Sequence, residues 1–345
     1  MMTKKRSWII VSIAFVLIAS SLFSRLPSSL PPCTPTPRPV LNSALEFDQL
    51  WTVCAGLSST VHGIVIGDDK VIVGDYTRNA LVAFDLVSGA VGWQTPMQGN
   101  FALTLDKARQ RLYTYVIYGT SREIYAVNTH TGDVVWRNDD DNGTKDSHTP
   151  FLLADGQMIA VNYSEPARQV NVDTGALGVA IAAVSLRIFP DGHAWIVQKG
   201  TLTAINALSG EIVWQVTAPN ISDERCLDDV QVNQTTVLAK ICGQLAAYDF
   251  TTHALRWTQN IPHIVGDAAV SENRVYVVDG YPTLHVLRLD DGVSIGKIQF
   301  EPMTPSPDSA EYAGDQNNRN WIVASGDRIA IYFGDTNMVS VYRIQ

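Results

Sequence analysis

Four cysteines, seven histidines and one dense acidic stretch offer most of the chemistry in this 345-residue chain. Cys226 and Cys242 flank LDDVQVNQTTVLAKI, which alternates like two strands about a turn at Asn233–Thr235. Such a hairpin sets Val232 opposite Thr236 and Cys226 opposite Cys242, and facing positions on adjacent strands accept a disulfide. Two buried thiols are the alternative. Cys54 is either free or paired with Cys33. In NDDDNGTKDSH (138–148), Asp139, Asp141 and Gly143 echo a calcium loop as weak metal candidates. The terminal bidentate Glu is missing, and a solvated acidic loop accounts for the stretch. His62, His130, His148, His193, His253, His263 and His285 show no zinc spacing. His130 and His253 fall in turns, where exposure is expected. There is no Gly-x-Ser-x-Gly elbow and no Gly-rich phosphate loop, and GDDKVIVGDYTRNA reads as a hairpin. The expectation is therefore no catalytic residue, no bound cofactor and no firm metal site.

The elements that would position these groups repeat. TAINALSGEIVWQ (203–215) has counterparts in LVAFDLVSGAVGWQ (81–94), IYAVNTHTGDVVWR (124–137) and LAAYDFTTHALRWTQ (245–259). Weaker copies are QVNVDTGALGVAI and LHVLRLDDGVSIGKI, and the chain ends on the half-copy VSVYRIQ. The turn position is occupied in order by Gly89, Gly132, Gly175, Gly210, His253 and Gly292, spaced 35 to 43 residues apart. Four residues on stand Trp93, Trp136, Val179, Trp214, Trp257 and Gly296. A polar residue precedes each turn, as at Asp85, Asn128, Asn206 and Asp249.

Each period holds four short alternating strands, shown in the fourth unit by SLRIF, HAWIVQ, TLTAIN and EIVWQV. Four strands per period of about 40 residues predict an all-β propeller, because a lone blade cannot cover both its faces whereas a ring of them can. The last unit stops before its outer strand, and DQLWTV (48–53) supplies the missing pattern with Trp51 in the Trp slot. Pairing of 48–53 with 339–345 would close the ring and leave no open edge. The count is seven blades of four-stranded antiparallel sheet, or eight if the Pro-rich, polar stretch 299–320 hides a unit.

The first 24 residues lie outside this pattern. Three basic residues precede an uncharged run from Ser7 to Ser24, which suits either a retained membrane anchor or a cleaved export signal. The basic end stays in the cytoplasm and the body is exported. Residues 25–44 are Pro-rich and read as an extended stalk, and 45–345 form the propeller. The proline pair before Cys33 argues against lipidation there. The net charge is −9, and the first 40 residues hold basic side chains but no acid, so the body is more acidic still and disfavours nucleic acid.

AFDLVSGAVGW, AVNTHTGDVVW, AINALSGEIVW and AYDFTTHALRW resemble the pyrroloquinoline-quinone (PQQ) propeller repeat, A-x-D-x-x-T/S-G-x-x-x-W, with His253 the departure at the Gly position. The resemblance covers nearly the whole chain after the stalk. That family includes quinone-dependent dehydrogenases and cofactor-free scaffolds. The adjacent cysteines of many alcohol-oxidising members have no counterpart here. The resemblance implies the fold and not an activity; with the N-terminal run and no catalytic constellation, the expectation is a membrane-anchored, exported and non-enzymatic binding scaffold. Its partner is a protein or an envelope component, and the ring is monomeric. The alternatives are a PQQ-dependent dehydrogenase and a ligand-sensing ectodomain.

Overall fold

The computed structural model describes residues 38–41, 45–55, 63–75, 78–97, 102–118, 121–139, 149–152, 156–161, 168–180, 193–198, 201–206, 209–217, 227–232, 235–241, 244–261, 264–279, 283–301, 320–333 and 336–345. Strands β1 (Arg38–Leu41) and β2 (Phe47–Cys54) come first. The first sheet contains β3 (Ile64–Ile66), β4 (Lys70–Asp75), β5 (Ala80–Asp85) and β6 (Val91–Pro96). The second contains β7 (Ala102–Asp106), β8 (Arg111–Tyr118), β9 (Ser121–Asn128) and β10 (Val134–Asp139). The third contains β11 (Thr149–Leu152), β12 (Met158–Val161), β13 (Arg168–Val170) and β14 (Leu177–Ala180). The fourth contains β15 (His193–Gln198), β16 (Thr201–Asn206) and β17 (Ile212–Thr217). The fifth contains β18 (Leu227–Val232), β19 (Thr236–Ile241), β20 (Gln244–Asp249) and β21 (Leu255–Asn260). The sixth contains β22 (Ile264–Ser271), β23 (Arg274–Asp279), β24 (Thr283–Arg288) and β25 (Ser294–Glu301). The seventh contains β26 (Trp321–Ser325), β27 (Arg328–Phe333) and β28 (Met338–Ile344), with β2 as its outer strand.

All these pairings are antiparallel between chain neighbours except at the two termini, as a period-two sequence with tight turns dictates. The inner strands β3, β7 and β11 stand side by side, as do β15, β18, β22 and β26, and β26 returns to β3. The cores lie between sheets. Ile72, Leu81 and Ala83 of the first pack with Leu103, Leu112 and Val127 of the second, and Leu238, Leu245 and Ala247 of the fifth pack with Val275, Val277 and Leu287 of the sixth.

The seam falls where the sequence places it. β2 pairs with β28, with Asp48 opposite Arg343, Gln49 opposite Tyr342 and Trp51 opposite Val341. The Gln345 amide donates to the Glu46 carbonyl at 3.0 Å, and the Arg343 guanidinium reaches Asp48 at 2.5 Å. Phe47 stacks on Tyr342 with ring centroids 4.6 Å apart.

Three points depart from the sequence reading. The sixth sheet has five strands rather than four, because Arg38–Leu41, inside the expected stalk, pairs along β25. Pro39 fits there because this is an edge strand, where a missing N–H costs little. Val232 pairs with Val237 instead of Thr236, because a register shift between Leu227 and Asp229 absorbs one residue. Asn138 and Asp139 end β10 as ladder residues, Asp139 opposite Glu123, rather than opening an acidic loop. SLRIF, Asp141 and residues 1–24 lie outside the described residues. Among the described residues no helix is long and apolar enough to cross a membrane.

The seam rests on Trp51, which is 8% exposed and donates its indole N–H to the Leu86 carbonyl of the first sheet at 3.1 Å. Trp51→Ala should lower unfolding stability by about 3–5 kcal/mol, the usual cost of removing a buried Trp. Urea titration followed by circular dichroism reads this directly, and a loss below about 1 kcal/mol would show that the seam holds without the indole.

Candidate interaction surface

The repeat turns share one construction. The Asp or Asn side chain folds over the turn and accepts backbone N–H groups two and three residues on: Val87 and Ser88 onto Asp85, His130 and Thr131 onto Asn128, Thr251 and Thr252 onto Asp249. Asn206 accepts from Ser209 in the same way. The fifth residue donates its N–H back to the first residue's carbonyl, as Gly132 does to Asn128 at 2.9 Å, and takes a positive φ. This is an Asx turn followed by a left-handed residue.

The Trp of the preceding sheet docks onto that turn. A Cβ on Gly132 would stand 2.7 Å from the ring of Trp93, and one on Gly89, Gly175 or Gly292 would meet Trp51, Trp136 or Trp257 as closely. Glycine is therefore required for space as well as for φ. The indole N–H donates to a carbonyl inside the turn: Trp93 to Thr129 at 2.9 Å, Trp136 to Val172 at 2.8 Å and Trp257 to Leu289 at 2.7 Å. Across their own sheets Trp93, Trp136, Trp214 and Trp257 face Ala83, Ala126, Ala204 and Ala247, whereas Trp51 faces Val341.

His253 keeps the positive φ, at 61°, without being glycine. Its ring is half-buried rather than exposed, edge-on to Trp214 at 5.0 Å. An aromatic contact of about 0.5–1.5 kcal/mol offsets a left-handed backbone cost of about 1–2 kcal/mol. Gly210 has the positive φ expected of it, at 75°. The predicted repeat residues Asp85, Gly89, Trp93, Asn128, Gly132, Trp136, Asn206, Gly210, Trp214, Asp249, Trp257 and Trp51 thus lie at turns and junctions between sheets, not in one pocket.

Nothing in the residue pattern marks the β-bulge that stands just before each of these Trp residues. The ladder skips Leu50, Gly92, Val135, Val213 and Arg256. Without the bulge, Val134 and Trp136 would share a face, as residues two apart on a strand do. With it, Val134 opposes Val127 while Trp136 opposes Ala126, so the two side chains point to opposite faces. The outcome is aliphatic side chains in solvent: Val134 at 45% and Val135 at 44% on β10, Ile212 at 63% and Val213 at 49% on β17.

The same rim carries polar groups. A cleft of roughly 170 Å³ between the first and second sheets is lined by Asp68, Asp69, Lys70, Lys107, Gln110 and His130, among others. Lys70 pairs with Asp69 at 2.6 Å, and Lys107 lies 3.8 Å from Asp68 and donates to the Ser325 hydroxyl at 3.1 Å. Charges of both signs paired at the surface suit contact with a mixed protein surface better than capture of one ion. His130 is exposed, as expected for a turn residue. His285 is buried, its Nε2 2.8 Å from Asp279 Oδ2. Among the described residues no group of three His, Cys, Asp or Glu side chains gathers to hold a metal. Cys226 and Cys242 lie outside the described residues, but their neighbours Leu227 and Ile241 pair directly, as the proposed Cys226–Cys242 bridge requires.

The turn hydrogen bonds carry a pH dependence. Bonds from the Thr252 amide and the Arg256 guanidinium hold the Asp249 carboxyl well below the usual carboxylate range, and those from Ser88 do the same for Asp85. A carboxyl with a lowered folded pKa adds stability that is fully present above its unfolded value, about 3.9. That stability is lost as pH falls through the folded value. Asp85→Asn with Asp249→Asn keeps the turn acceptor, as Asn128 shows, and removes the titration. The double variant should lose less stability than wild type between pH 4 and pH 2, measured as urea midpoints at each pH. Parallel losses would remove these two carboxyls as the cause.

The comparisons agree with this construction. The repeat family described as outer membrane protein assembly factor BamB matches residues 46–182 and 198–341. A curated relative, the outer membrane protein assembly factor BamB of Yersinia pestis, is 25% identical over 250 residues; the match spans 63% of this chain and 61% of that protein. Among solved structures, BamB from Moraxella catarrhalis aligns with a TM-score of 0.55 at 14% identity, covering 86% of this chain and 98% of that one. The Cps50 (Swd1) β-propeller domain of Myceliophteria thermophila aligns with a TM-score of 0.61 at 11% identity, covering 87% of this chain and all of that domain. The two solved structures speak for the fold alone. The family match takes in both arcs of the ring and every repeat turn with its Trp, and on that ground the chain belongs to the PQQ-like repeat β-propeller family described as outer membrane protein assembly factor BamB.

Proposed function

We propose that this chain is an exported seven-bladed propeller, held at a membrane by its N-terminal segment, that binds other proteins during outer-membrane protein assembly and performs no catalysis. The family match along nearly the whole propeller carries this reading. The geometry adds a mode of binding. Among the described residues, β10 and β17 end their sheets with no strand along their outer edges, and each presents two exposed aliphatic side chains at its start. An open edge beside apolar side chains suits an extended partner segment, which gains main-chain hydrogen bonds from the edge and specificity from the side chains. β1 on β25 is an example within the chain: the outer edge of this kind of sheet accepts a fifth strand.

The test is photo-crosslinking in the cell envelope, with the crosslinker at Val134, Ile212, Leu255 or Lys107 in turn. Discrete adducts with outer-membrane assembly proteins at one or more rim positions are expected. Val134→Asp with Val135→Asp, or Ile212→Asp with Val213→Asp, should reduce capture about tenfold or more, the loss of about 1.4 kcal/mol at a central contact. Thermal stability should barely change, because these side chains are already in solvent. No adduct at any rim position would overturn the binding reading.

A further inference from the structure

Each outer strand opens on the three residues between its turn glycine, or His253, and its Trp position. In the first, third, fifth and sixth sheets these are Ala90-Val91-Gly92, Ala176-Leu177-Gly178, Ala254-Leu255-Arg256 and Val293-Ser294-Ile295. In the second and fourth they are Asp133-Val134-Val135 and Glu211-Ile212-Val213. Of the six, only these two set an acid ahead of two aliphatic residues, and in both all three side chains are exposed.

The two acids are held alike. The Thr131 hydroxyl accepts the Asp133 N–H at 3.2 Å and donates to its carboxylate at 2.7 Å. The Ser209 hydroxyl does the same for Glu211, at 3.3 Å and 3.4 Å. Among the described residues neither carboxylate has a basic partner, whereas the turn acids Asp173, Asp249 and Asp291 are paired with Arg111, Arg256 and Arg288. Both sheets thus place an oriented, uncompensated negative charge beside two aliphatic side chains at the start of an open edge. β10 and β17 leave the same kind of turn, so both places lie on one rim.

We infer that β10 and β17 are two equivalent docking edges for extended polypeptide segments that carry Lys or Arg beside alternating aliphatic residues. The inference rests on the reading of the open edges as partner sites, and adds the charge a partner must bring and the number of places for it. A carboxylate without a counter-charge attracts a basic segment and rejects an acidic one. Aliphatic side chains that displace water on docking leave that attraction less screened than in open solvent. An antiparallel segment, as β1 is on β25, would end at the start of β10 or β17. Its basic residue therefore follows its aliphatic ones. The strand already on the sixth sheet obeys the same rule in reverse: Arg38 opens β1 opposite Glu301 in the ladder, and Val40 and Leu41 follow. Because both edges open on one rim, one partner with two such segments can hold both, and the first contact raises the effective concentration for the second.

The probe is a fluorescent synthetic strand of alternating Val and Thr ending in Lys-Lys, with a twin ending in Glu-Glu, each titrated against the full chain. Two Lys-ended strands should bind per ring, about fivefold or more tightly than the twin at low salt. The difference should shrink as salt is raised. Asp133→Asn with Glu211→Gln should erase it. Val134→Asp with Val135→Asp should remove one of the two places, and Ile212→Asp with Val213→Asp the other. Equal affinity of the twins, a preference that survives the two amide substitutions, a single place in the wild type, or no binding of either strand overturns the inference. Envelope adducts at Val134 or Ile212 would in that case leave the binding reading standing and remove only the charge rule.

Discussion

The ring depends on one contact made again and again: an indole from the outermost strand of one sheet seated on the turn of the next. The inner strands meet their neighbours near the ring axis, but the outer strands diverge from it and have least to hold them. A Trp is long enough to cross that widening gap. Burying it is worth about 3–5 kcal/mol, whereas its N–H bond to the turn carbonyl adds about 1 kcal/mol. Apolar burial therefore supplies the stability and the hydrogen bond supplies the aim. The rest of the repeat follows. The turn residue must lack a Cβ because the indole fills that space, the Asp or Asn holds the turn in the shape that presents its carbonyl, and the alanine opposite the Trp leaves room for the ring.

The exceptions obey the same constraint. Gly296 stands where the sixth unit should have its Trp. The seventh sheet has no turn for it to dock on, because its third and fourth strands, β28 and β2, are not consecutive in sequence and meet instead through the Gln345 amide and the Glu46 carbonyl. An indole there would have no seat. The junction is filled instead by Phe47, Phe300, Phe333 and Tyr342, with Phe300 5.0 Å from Phe333 and 5.4 Å from Tyr342. Opposite Gly296 the small alanine becomes Val286, which restores volume. His253 departs the other way, exchanging backbone ease for an aromatic contact with Trp214.

What the sequence made legible was whatever recurs at a fixed spacing. The turn glycines, the Trp positions and the completion of the last sheet by Trp51 and its neighbours could be read because each repeats one physical demand. The bulges could not. A skipped residue leaves no mark on composition, and reading Val134 and Trp136 as strand partners on one face is correct for a regular ladder and wrong here. The shift in the Val232 pairing has the same origin. β1 was hidden for a different reason: a proline-rich approach looks like stalk, and an edge strand is the setting in which proline does not forbid pairing. The half-buried ring of His253 was missed because a turn position says nothing about the side chain arriving from the neighbouring sheet.

This division bears on where recognition can reside. The Asp or Asn, the glycine and the Trp are fully engaged by the ring, so altering any of them for a partner would weaken a junction. The bulge residue is under no such demand. It stands one place before the Trp, pushed out of the ladder, and it is Gly92, Val135, Val213 and Arg256 in the first, second, fourth and fifth sheets and Leu50 in the seventh. A position held in one geometry but free in chemistry presents different side chains around a rigid rim. Val135 and Val213 make β10 and β17 apolar at that point, while Arg256 is drawn back onto Asp249 and Thr236 of its own sheet. The rim is therefore uneven in a way that follows from the repeat itself, and an extended partner would find its apolar footing on the second and fourth sheets before the fifth.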